Sequence, residues 1–301
     1  MRFAAALHGI GASDPAALAG YQLATARAAR DAGYAAVVAG QHFLAGPYLQ
    51  PLPLLARLVP ETGSMRLVAG VLLMPFLHPV VLAEELATLD VLSGGRLVIG
   101  AGQGYRDHEF DAFGVPRAER LGRQLSVLDR LTGLWAADPP DGPLRPVQRP
   151  RPPIWYAAAS RRTFDRAVAR GYVPFIGGQV SRAAVADLVA GSAAPVESVV
   201  LRRDVLVTDL LGAAEVARSV RAHRAAYPRW YSPDAGSNPP GEPLVVGPLA
   251  ECRDRLLALA ADGVDTVVIR CHWPELDPAV GVDLLVALAE GLGLGEPTEA
   301  G

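Results

Sequence analysis

Short apolar segments alternate with helical patterns along almost the whole of this 301-residue chain. Strands that alternate with helices are parallel, because each helix carries the chain back before the next strand begins. Eight such strands within this length favour a closed (β/α)8 barrel, the TIM barrel, over an open doubly wound sheet, and we predict one α/β domain of this kind over residues 1–301. The predicted strands span 3–7, 35–39, 67–73, 97–99, 150–158, 173–176, 199–207 and 266–270.

Helices are predicted between the strands, and the connection between the seventh and eighth strands holds an extra one, so that it forms an insertion in the barrel. Asp14 can cap the first helix, Pro15 suits its first turn, and Gly33 is a natural end. The Pro- and Gly-rich segments 138–153 and 232–248 are expected to be surface connections, because barrel elements lie on both sides of each. The later helices are predicted near 183–190, 213–226, 250–262 and 281–292.

The segment from His78 to Gly114 joins a helix, a turn, a strand and a glycine-rich loop, and reads HPVVLAEELATLDVLSGGRLVIGAGQGYRDHEFDAFG. Leucines recur every three or four residues from Leu82 to Leu92 and so line one helix face. Ser93 to Arg96 breaks this period, and 97–99 reads as a buried strand. The loop from Gly100 to Tyr105 follows at once. Glycines there let a ligand approach the backbone, at the strand ends where barrels hold their ligands.

Charge and composition exclude several classes of partner. The net charge is −3 and the sequence pI is about 6.1, so no basic surface is expected for nucleic acid or an anionic membrane. The first residues lack the length and the cleavage site of a secretory signal, and no run reaches transmembrane length. We therefore expect a soluble cytoplasmic protein whose partner is a small molecule.

The residue types also exclude several kinds of chemistry. The chain has no lysine, which rules out a Schiff-base lysine and a P-loop lysine. Cys252 and Cys271 show neither CxxC nor zinc-ligand spacing, so no metal site is predicted. No carboxylate pair and no Ser/His/Asp arrangement stands out at the strand ends, so the sequence does not favour a hydrolase function. The residues predicted at these ends are His8, Gln41, His42, 74–78, 102–105, 157–163, Gly177, Gly178, His272 and Trp273.

The turn from Ala159 to Thr163 has the features of an anion site. It leaves the fifth strand and opens a helix, whose first N–H groups have no partner within the helix. Ser160 and Thr163 add two hydroxyls, and Arg161 and Arg162 add two guanidinium groups. A phosphate suits this turn, although Ser160 can equally act as the helix cap, and the two roles are compatible.

The segment 78–114 resembles the signature block of the bacterial luciferase-like flavin-dependent oxidoreductases, a family of monooxygenases and related enzymes. PPIWYAAAS at 152–160 and VVGPLAECRDRLLALAADGVDTVVIR at 245–270 extend the likeness over most of the chain, whereas 138–150 and 176–248 match poorly. The resemblance implies a barrel that binds reduced FMN or the deazaflavin F420. The ring would lie at the strand ends and the phosphate on the fifth βα loop.

Several residues correspond to the family's cofactor site. Ser160 and Thr163 match its phosphate-binding hydroxyls. Gly70 and Val71 fall where members often have a non-prolyl cis peptide bond against the ring. Gly102, Gln103, Gly104 and Tyr105 match the loop beside the cofactor, but Gln103 replaces the arginine that holds the FMN phosphate in luciferase α-like members. Arg106, Arg161 or Arg162 is an alternative source of that charge.

The segment Gly40-Gln41-His42 matches an acidic-His-His segment of the luciferase α-like members, of which only His42 remains. A histidine can act as a general acid or base, so His42, with Gln41 beside it, is the predicted catalytic position. A hydrogen-bonded structural histidine is the alternative. Tyr105 and Trp273 could form a wall against a flavin or an aromatic substrate, or simply pack.

Three functions remain open at this point. The first is a monooxygenase that uses reduced FMN and O2 on a small organic substrate, with a separate flavin reductase, since no GxGxxG fingerprint for NAD(P)H is present. The second is an F420-dependent reductase or dehydrogenase that transfers a hydride. The third is a non-catalytic flavin-binding subunit. The resemblance also implies a homodimer, with helices near 80–92 and 117–136 as candidate faces.

Overall fold

The computed structural model describes residues 1–7, 14–46, 48–136, 142–227 and 244–295. His8 and parts of the two predicted surface connections, 138–141 and 232–243, lie outside these residues. No helix in the described part of the chain is long and apolar enough to cross a membrane.

Eight parallel strands form a closed ring, which confirms the predicted (β/α)8 barrel. Around the ring the order is β1-β2-β3-β4-β5-β6-β7-β9, and β9 pairs again with β1. A short ninth strand, β8, pairs with the last residues of β7. The strands are β1 (Arg2–Leu7), β2 (Ala36–Ala39), β3 (Arg66–Leu73), β4 (Leu97–Gly102), β5 (Ile154–Ala157), β6 (Val173–Ile176), β7 (Val200–Val207), β8 (Leu244–Gly247) and β9 (Thr266–Arg270).

Helices surround the ring and follow the predicted alternation. The carboxylate of Asp14 accepts the N–H groups of Ala16 and Ala17, which confirms the predicted cap of the first helix. The helices are α1 (Pro15–Asp31), α2 (Pro51–Leu58), α3 (Pro79–Leu92), α4 (Asp107–Ala112), α5 (Arg120–Ala136), α6 (Arg161–Ala169), α7 (Arg182–Ala190), α8 (Ala213–Ala226), α9 (Leu249–Leu257) and α10 (Pro278–Gly291).

Four details differ from the sequence predictions. Residues 244–247, expected in a surface connection, form β8, because hydrogen bonds to β7 stabilise a strand too short to stand out locally. Helices α2 and α4 were not predicted; α2 begins at Pro51, where a missing N–H costs nothing. β4 continues to Gly102 rather than ending at Ile99, and β5 begins at Ile154 because the prolines before it cannot donate to a ladder.

The apolar side chains form two layers. One layer fills the inside of the barrel, and the other lies between the strands and the surrounding helices. In β7, for example, Val200 faces inward and Leu201 faces the helices, as the two-residue period of a strand requires. The inner layer consists of Ala4, Ala36, Val38, Val68, Val98, Trp155, Phe175, Val200 and Val268.

β3 and β4 approach each other unusually closely where β3 is irregular. The peptide bond between Gly70 and Val71 is cis, as the resemblance implied, and the pairing with β4 shifts register there. A Cβ atom on Gly100 would lie 2.6 Å from the Cα of Gly70, and one on Gly102 would lie 2.5 Å from Cγ2 of Val71. The glycines of this segment are predicted from the sequence to let a ligand approach the backbone. At position 100, however, the structure requires glycine because a side chain there would overlap the backbone of β3.

We expect Gly100→Ala to lower the free energy of unfolding by about 1–3 kcal/mol, because the new methyl group would overlap the β3 backbone. Gly122→Ala is the control, since nothing lies within 4 Å of a Cβ added to Gly122 in α5. That substitution should be neutral or stabilising by up to about 1 kcal/mol. Urea unfolding followed by circular dichroism measures both. Equal stability of Gly100→Ala and the wild type would contradict the packing argument.

Candidate functional site

A cavity of about 480 Å³ opens at the carboxyl ends of the strands. This volume is typical of a small-molecule site, and the location is where TIM barrels place their ligands. Most of the site residues predicted from the sequence line it. They are Gln41, His42, Gly70, Val71, Gly102, Gln103, Gly104, Tyr105, Ser160 and Thr163.

The turn before α6 presents hydroxyl and N–H groups at the cavity wall. Ser160 caps the helix by accepting the N–H of Thr163 at 3.4 Å, and Thr163 Oγ1 accepts the N–H groups of Ser160 and Ala159 at 3.1 Å. The two hydroxyl oxygens are 3.0 Å apart. The predicted cap is therefore formed, and the same turn presents its hydroxyl groups at the cavity wall.

The structure does not bring Arg161 or Arg162 to the cavity. Arg161 donates to Asp165 and to the carbonyl of Asp187, and its guanidinium lies over the ring of Phe164. Arg162 is exposed and does not line the cavity. Neither side chain therefore takes the place of the arginine that the resemblance led us to expect.

Gln103 is held by a buried amide. Its Nε2 donates to Oε1 of Gln124 at 3.0 Å, and the hydroxyl of Tyr156 donates to the same oxygen at 2.9 Å. Gln124 and Tyr156 are fully buried, so they fix Gln103 from behind.

Gly104 has a φ of 74°, a conformation that glycine adopts without strain, and places the loop against Phe110 and Phe76.

His42 forms a pair with Glu109. The Nδ1 atom of His42 lies 3.2 Å from Oε1 of Glu109, which also accepts the N–H of Phe43 at 2.8 Å. A carboxylate oxygen accepts, so the proton between the two groups belongs to Nδ1, and Nε2 keeps a lone pair. Burial and the nearby Arg106 lower the pKa of His42, outweighing the opposite effect of Glu109. The ring is therefore neutral at neutral pH and can accept a proton.

Gln41, predicted beside His42 as part of the catalytic position, lines the cavity, and its side chain is hydrogen-bonded to neighbouring residues. Its Oε1 accepts the N–H of Leu73 at 2.8 Å, and its Nε2 donates to Gln50 at 3.2 Å. Its backbone N–H donates to the carbonyl of Val71. An amide does not titrate near neutral pH, and the bonds to Leu73 and Val71 tie Gln41 to the irregular end of β3.

Trp273 packs rather than lining the cavity. It is 1% exposed, and its Nε1 donates to the carbonyl of Val205 at 2.7 Å. Its ring lies 4.8 Å from that of His223. Tyr105, by contrast, lines the cavity and is 46% exposed, so of the two proposed aromatic walls only Tyr105 is in position.

Several lining residues were not identified from the sequence. Arg202 and Arg270 contribute charge, and Tyr48, Phe175 and Tyr227 contribute rings. A signal for Arg202 was present, because VVLRRDVLV at 199–207 places charged residues inside an otherwise apolar strand. The partner Glu109 gave no such signal, since it is 67 positions away from His42.

A charged cluster joins the middle of β7 to the end of β9. Asp204 accepts hydrogen bonds from Arg270 and from Nε2 of His223 at 2.8 Å, and it lies 3.6 Å from Nε of Arg202. Arg270 also donates to the hydroxyl of Tyr227 at 2.7 Å. Burial raises the pKa of Asp204, but the two arginines outweigh this effect and lower it. Burial lowers the pKa of His223, so Asp204 is the ionised partner.

The described residues contain no group of three or more His, Cys, Asp or Glu side chains placed to hold a metal ion. The polar groups at the cavity are hydroxyls, amides, guanidinium groups and one imidazole. Such a set can bind an anion and hold or move a proton, and hydride or oxygen chemistry would come from a bound organic cofactor.

A family model described as luciferase-like monooxygenase matches residues 2–266. The oxygenase component of a flavin-dependent trigonelline monooxygenase from Acinetobacter baylyi is 32% identical over 155 residues, which cover 46% of this chain and 43% of that protein. An FMNH2-dependent dimethylsulfone monooxygenase from Pseudomonas putida is 31% identical over 125 residues, which cover 36% of this chain and 34% of that protein. The chain thus matches less than half the length of these relatives.

The solved structure of monooxygenase RslO1 from Streptomyces bottropensis has the same fold. It superimposes with a TM-score of 0.81 at 23% sequence identity, over 97% of this chain and 98% of that one. At this level of identity the likeness shows the barrel architecture.

We expect the imidazole of His42 to titrate below its ordinary pKa of 6.5, because it is buried and lies near Arg106. Glu109→Gln should lower the pKa further, since it removes the negative charge that favours imidazolium. Arg106→Gln should raise it, since it removes a positive charge. NMR titration of the His42 Cε1–H resonance, assigned with His42→Asn, measures all three. Shifts of the same sign in both variants would contradict this electrostatic account.

Proposed function

Because the chain belongs to the luciferase-like monooxygenase family, we propose that it is a flavin-dependent monooxygenase that uses reduced FMN and O2 to oxygenate a small organic substrate. The observation that carries this proposal is the cavity at the strand ends. It joins the cis Gly70–Val71 wall to the hydroxyls of Ser160 and Thr163. A planar ring and a phosphate are the two parts of FMN that such a cavity would have to hold.

The residues fit this cofactor. Val71, Gly102 and Gly104 line one side of the cavity with backbone and small side chains, against which a flat ring can lie. Ser160 and Thr163 offer hydroxyl groups, and the first N–H groups of α6 add the positive end of a helix dipole. The internal bonds between the two hydroxyls can be exchanged for bonds to phosphate oxygens. We propose these residues as the cofactor site.

Reduced flavin, when bound, supplies the electrons that activate O2. The chain's own residues would bind and orient the cofactor and the substrate, and would accept and donate protons. His42 lines the cavity with a neutral ring whose Nδ1 is tied to Glu109, so Nε2 can take up a proton from the reacting groups and return it. The apolar wall around Val71 and Phe175 limits the access of water.

Two partners belong to this proposal. A separate flavin reductase would supply reduced FMN, in keeping with the name of the relative described as an oxygenase component. A second copy of the chain would form a homodimer through α3, where Val80, Val81 and Leu92 are exposed, with Val147 exposed on the neighbouring connection. We also retain a cytoplasmic location as a prediction.

The alternative is an F420-dependent reductase or dehydrogenase. Gln103 favours it, because that side chain stands where the resemblance implies the FMN phosphate arginine, and neither Arg161 nor Arg162 reaches the cavity. A weaker phosphate site should reduce the affinity for F420 less than that for FMN, because F420 has further groups beyond its phosphate that can also bind.

An anaerobic titration of the purified protein with reduced FMN and with reduced F420 separates these functions. We expect reduced FMN to bind more tightly, and its oxidation after mixing with O2 to follow a different rate from that of free reduced FMN. Binding of F420 alone, without O2 consumption, would support the dehydrogenase. FMN binding with no effect on its reaction with O2 would favour the non-catalytic subunit, and binding of neither cofactor would refute all three.

We expect Ser160→Ala and Thr163→Val to weaken FMN binding by about tenfold to a hundredfold, because each removes a hydrogen bond to a charged phosphate. Riboflavin has no phosphate, so its affinity should stay the same. Ser181→Ala is the control, since Ser181 caps α7 by accepting the N–H of Ala184 and does not line the cavity. Quenching of flavin fluorescence measures the affinities. An equal loss for riboflavin would mean that the turn does not bind phosphate.

A further inference from the structure

The side of the barrel formed by β7 and β9 carries charge into its interior. Arg202 and Asp204 alternate with Val200 along β7, and Arg270 follows Val268 along β9, so all three charged residues occupy inward-facing positions. The register places Asp204 directly beside Arg270. Both arginines line the cavity.

This charged side lies across the barrel from the proposed flavin wall. In the ring of eight strands, β7 is opposite β3 and β9 is opposite β4. The proposed phosphate turn follows β5, so it is a separate part of the cavity. A ligand that lies between the proposed flavin wall and the arginines would have one end against the ring and the other against the guanidinium groups.

Arg270 is held in this position by its neighbours. It is fully buried, donates to Asp204 and Tyr227, and its guanidinium carbon lies 5.1 Å from the centre of the Tyr227 ring. Its Nε atom has no acceptor among the described residues. Although burial lowers the pKa of Arg270, Asp204 raises it above its ordinary value, so the group remains a cation. A buried N–H of a cation is a strong donor for an anionic ligand.

Aromatic side chains also line the cavity. Tyr48, Tyr105, Phe175 and Tyr227 line the cavity, and the rings of Tyr48 and Tyr105 both meet His42 edge-on. Aromatic side chains favour a flat apolar body, and a guanidinium pair favours a planar anion. A carboxylate attached to an aromatic ring combines both features.

We propose that Arg202 and Arg270 bind the carboxylate of an aromatic carboxylic acid, which is the substrate. This inference rests on the proposed flavin-dependent function for the reaction, but the anion site consists of the chain's own residues. Asp204 is a positioning residue, because it fixes Arg270 from behind. The substrate ring would then lie among the aromatic side chains beside His42.

Benzoate and benzamide are the probes, since they have the same shape and differ in charge. We expect the FMN-loaded protein to bind benzoate at least about tenfold more tightly than benzamide in calorimetric titrations. Arg202→Gln should reduce the benzoate affinity by about tenfold or more and leave that of benzamide unchanged. Arg170→Gln, which removes a guanidinium paired with Asp129 outside the cavity, should change neither. Equal binding of the two probes would overturn the proposal.

Arg270→Lys provides a second test that keeps the charge beside Asp204 and so the fold, which circular dichroism checks. It should weaken benzoate binding, because an ammonium group lacks the planar fork of guanidinium. If benzoate affinity survives both Arg202→Gln and Arg270→Lys, the proposal is wrong.

The arginines could instead hold the phosphate of the flavin, and FMN and riboflavin distinguish the two sources of anion. Our proposal requires Arg202→Gln to leave the affinity for both flavins unchanged. A selective loss of FMN affinity would assign the arginines to the phosphate and overturn the substrate site. If the wild type binds no flavin, the proposed function fails, whereas selective benzoate binding by the flavin-free protein would still support the anion site.

Discussion

The close contact between β3 and β4 determines the shape of the cavity. Because Gly100 has no side chain, the backbone of β3 can move inward at Gly70, and the hydrogen bonds of Gln41 hold the strand in this position. Val71 then forms part of the cavity wall. Any larger residue at position 100 would push β3 outward and change the surface against which we propose the flavin ring lies.

A TIM barrel is normally filled by side chains, so an open end needs small residues. Trp155 and Phe175 fill the interior on the side of β5 and β6, with ring centres 5.6 Å apart. Closer to the carboxyl ends, Ala6, Gly102 and Ala157 line the cavity. Space for a ligand therefore exists because small residues occupy inward-facing positions that follow the packed layer toward the carboxyl ends.

The parts of this arrangement that could be predicted from the sequence are the local ones. Apolar runs located all eight strands of the ring, and the Ser160 turn combined a cap and hydroxyl groups within four residues. β8 was not predicted, because a strand of four residues has a weak local pattern and its pairing with β7 cannot be read from its own sequence. The His42–Glu109 and Asp204–Arg270 pairs were not predicted either. Each joins residues more than sixty positions apart, which only the closed barrel brings together.

The distribution of charge in the cavity bears on what it can bind. Burying a carboxylate with two guanidinium groups costs desolvation energy, and a hydrophobic group of similar size would pack without that cost. The cost is concentrated on β7 and β9. The ends of β3 and β4 and the turn after β5 offer backbone groups, amides and hydroxyls, with Gln103 where an arginine was expected. Charge has thus been placed away from the proposed cofactor phosphate. Under our proposals the stronger electrostatic interaction selects the substrate, and neutral donors are sufficient for the cofactor.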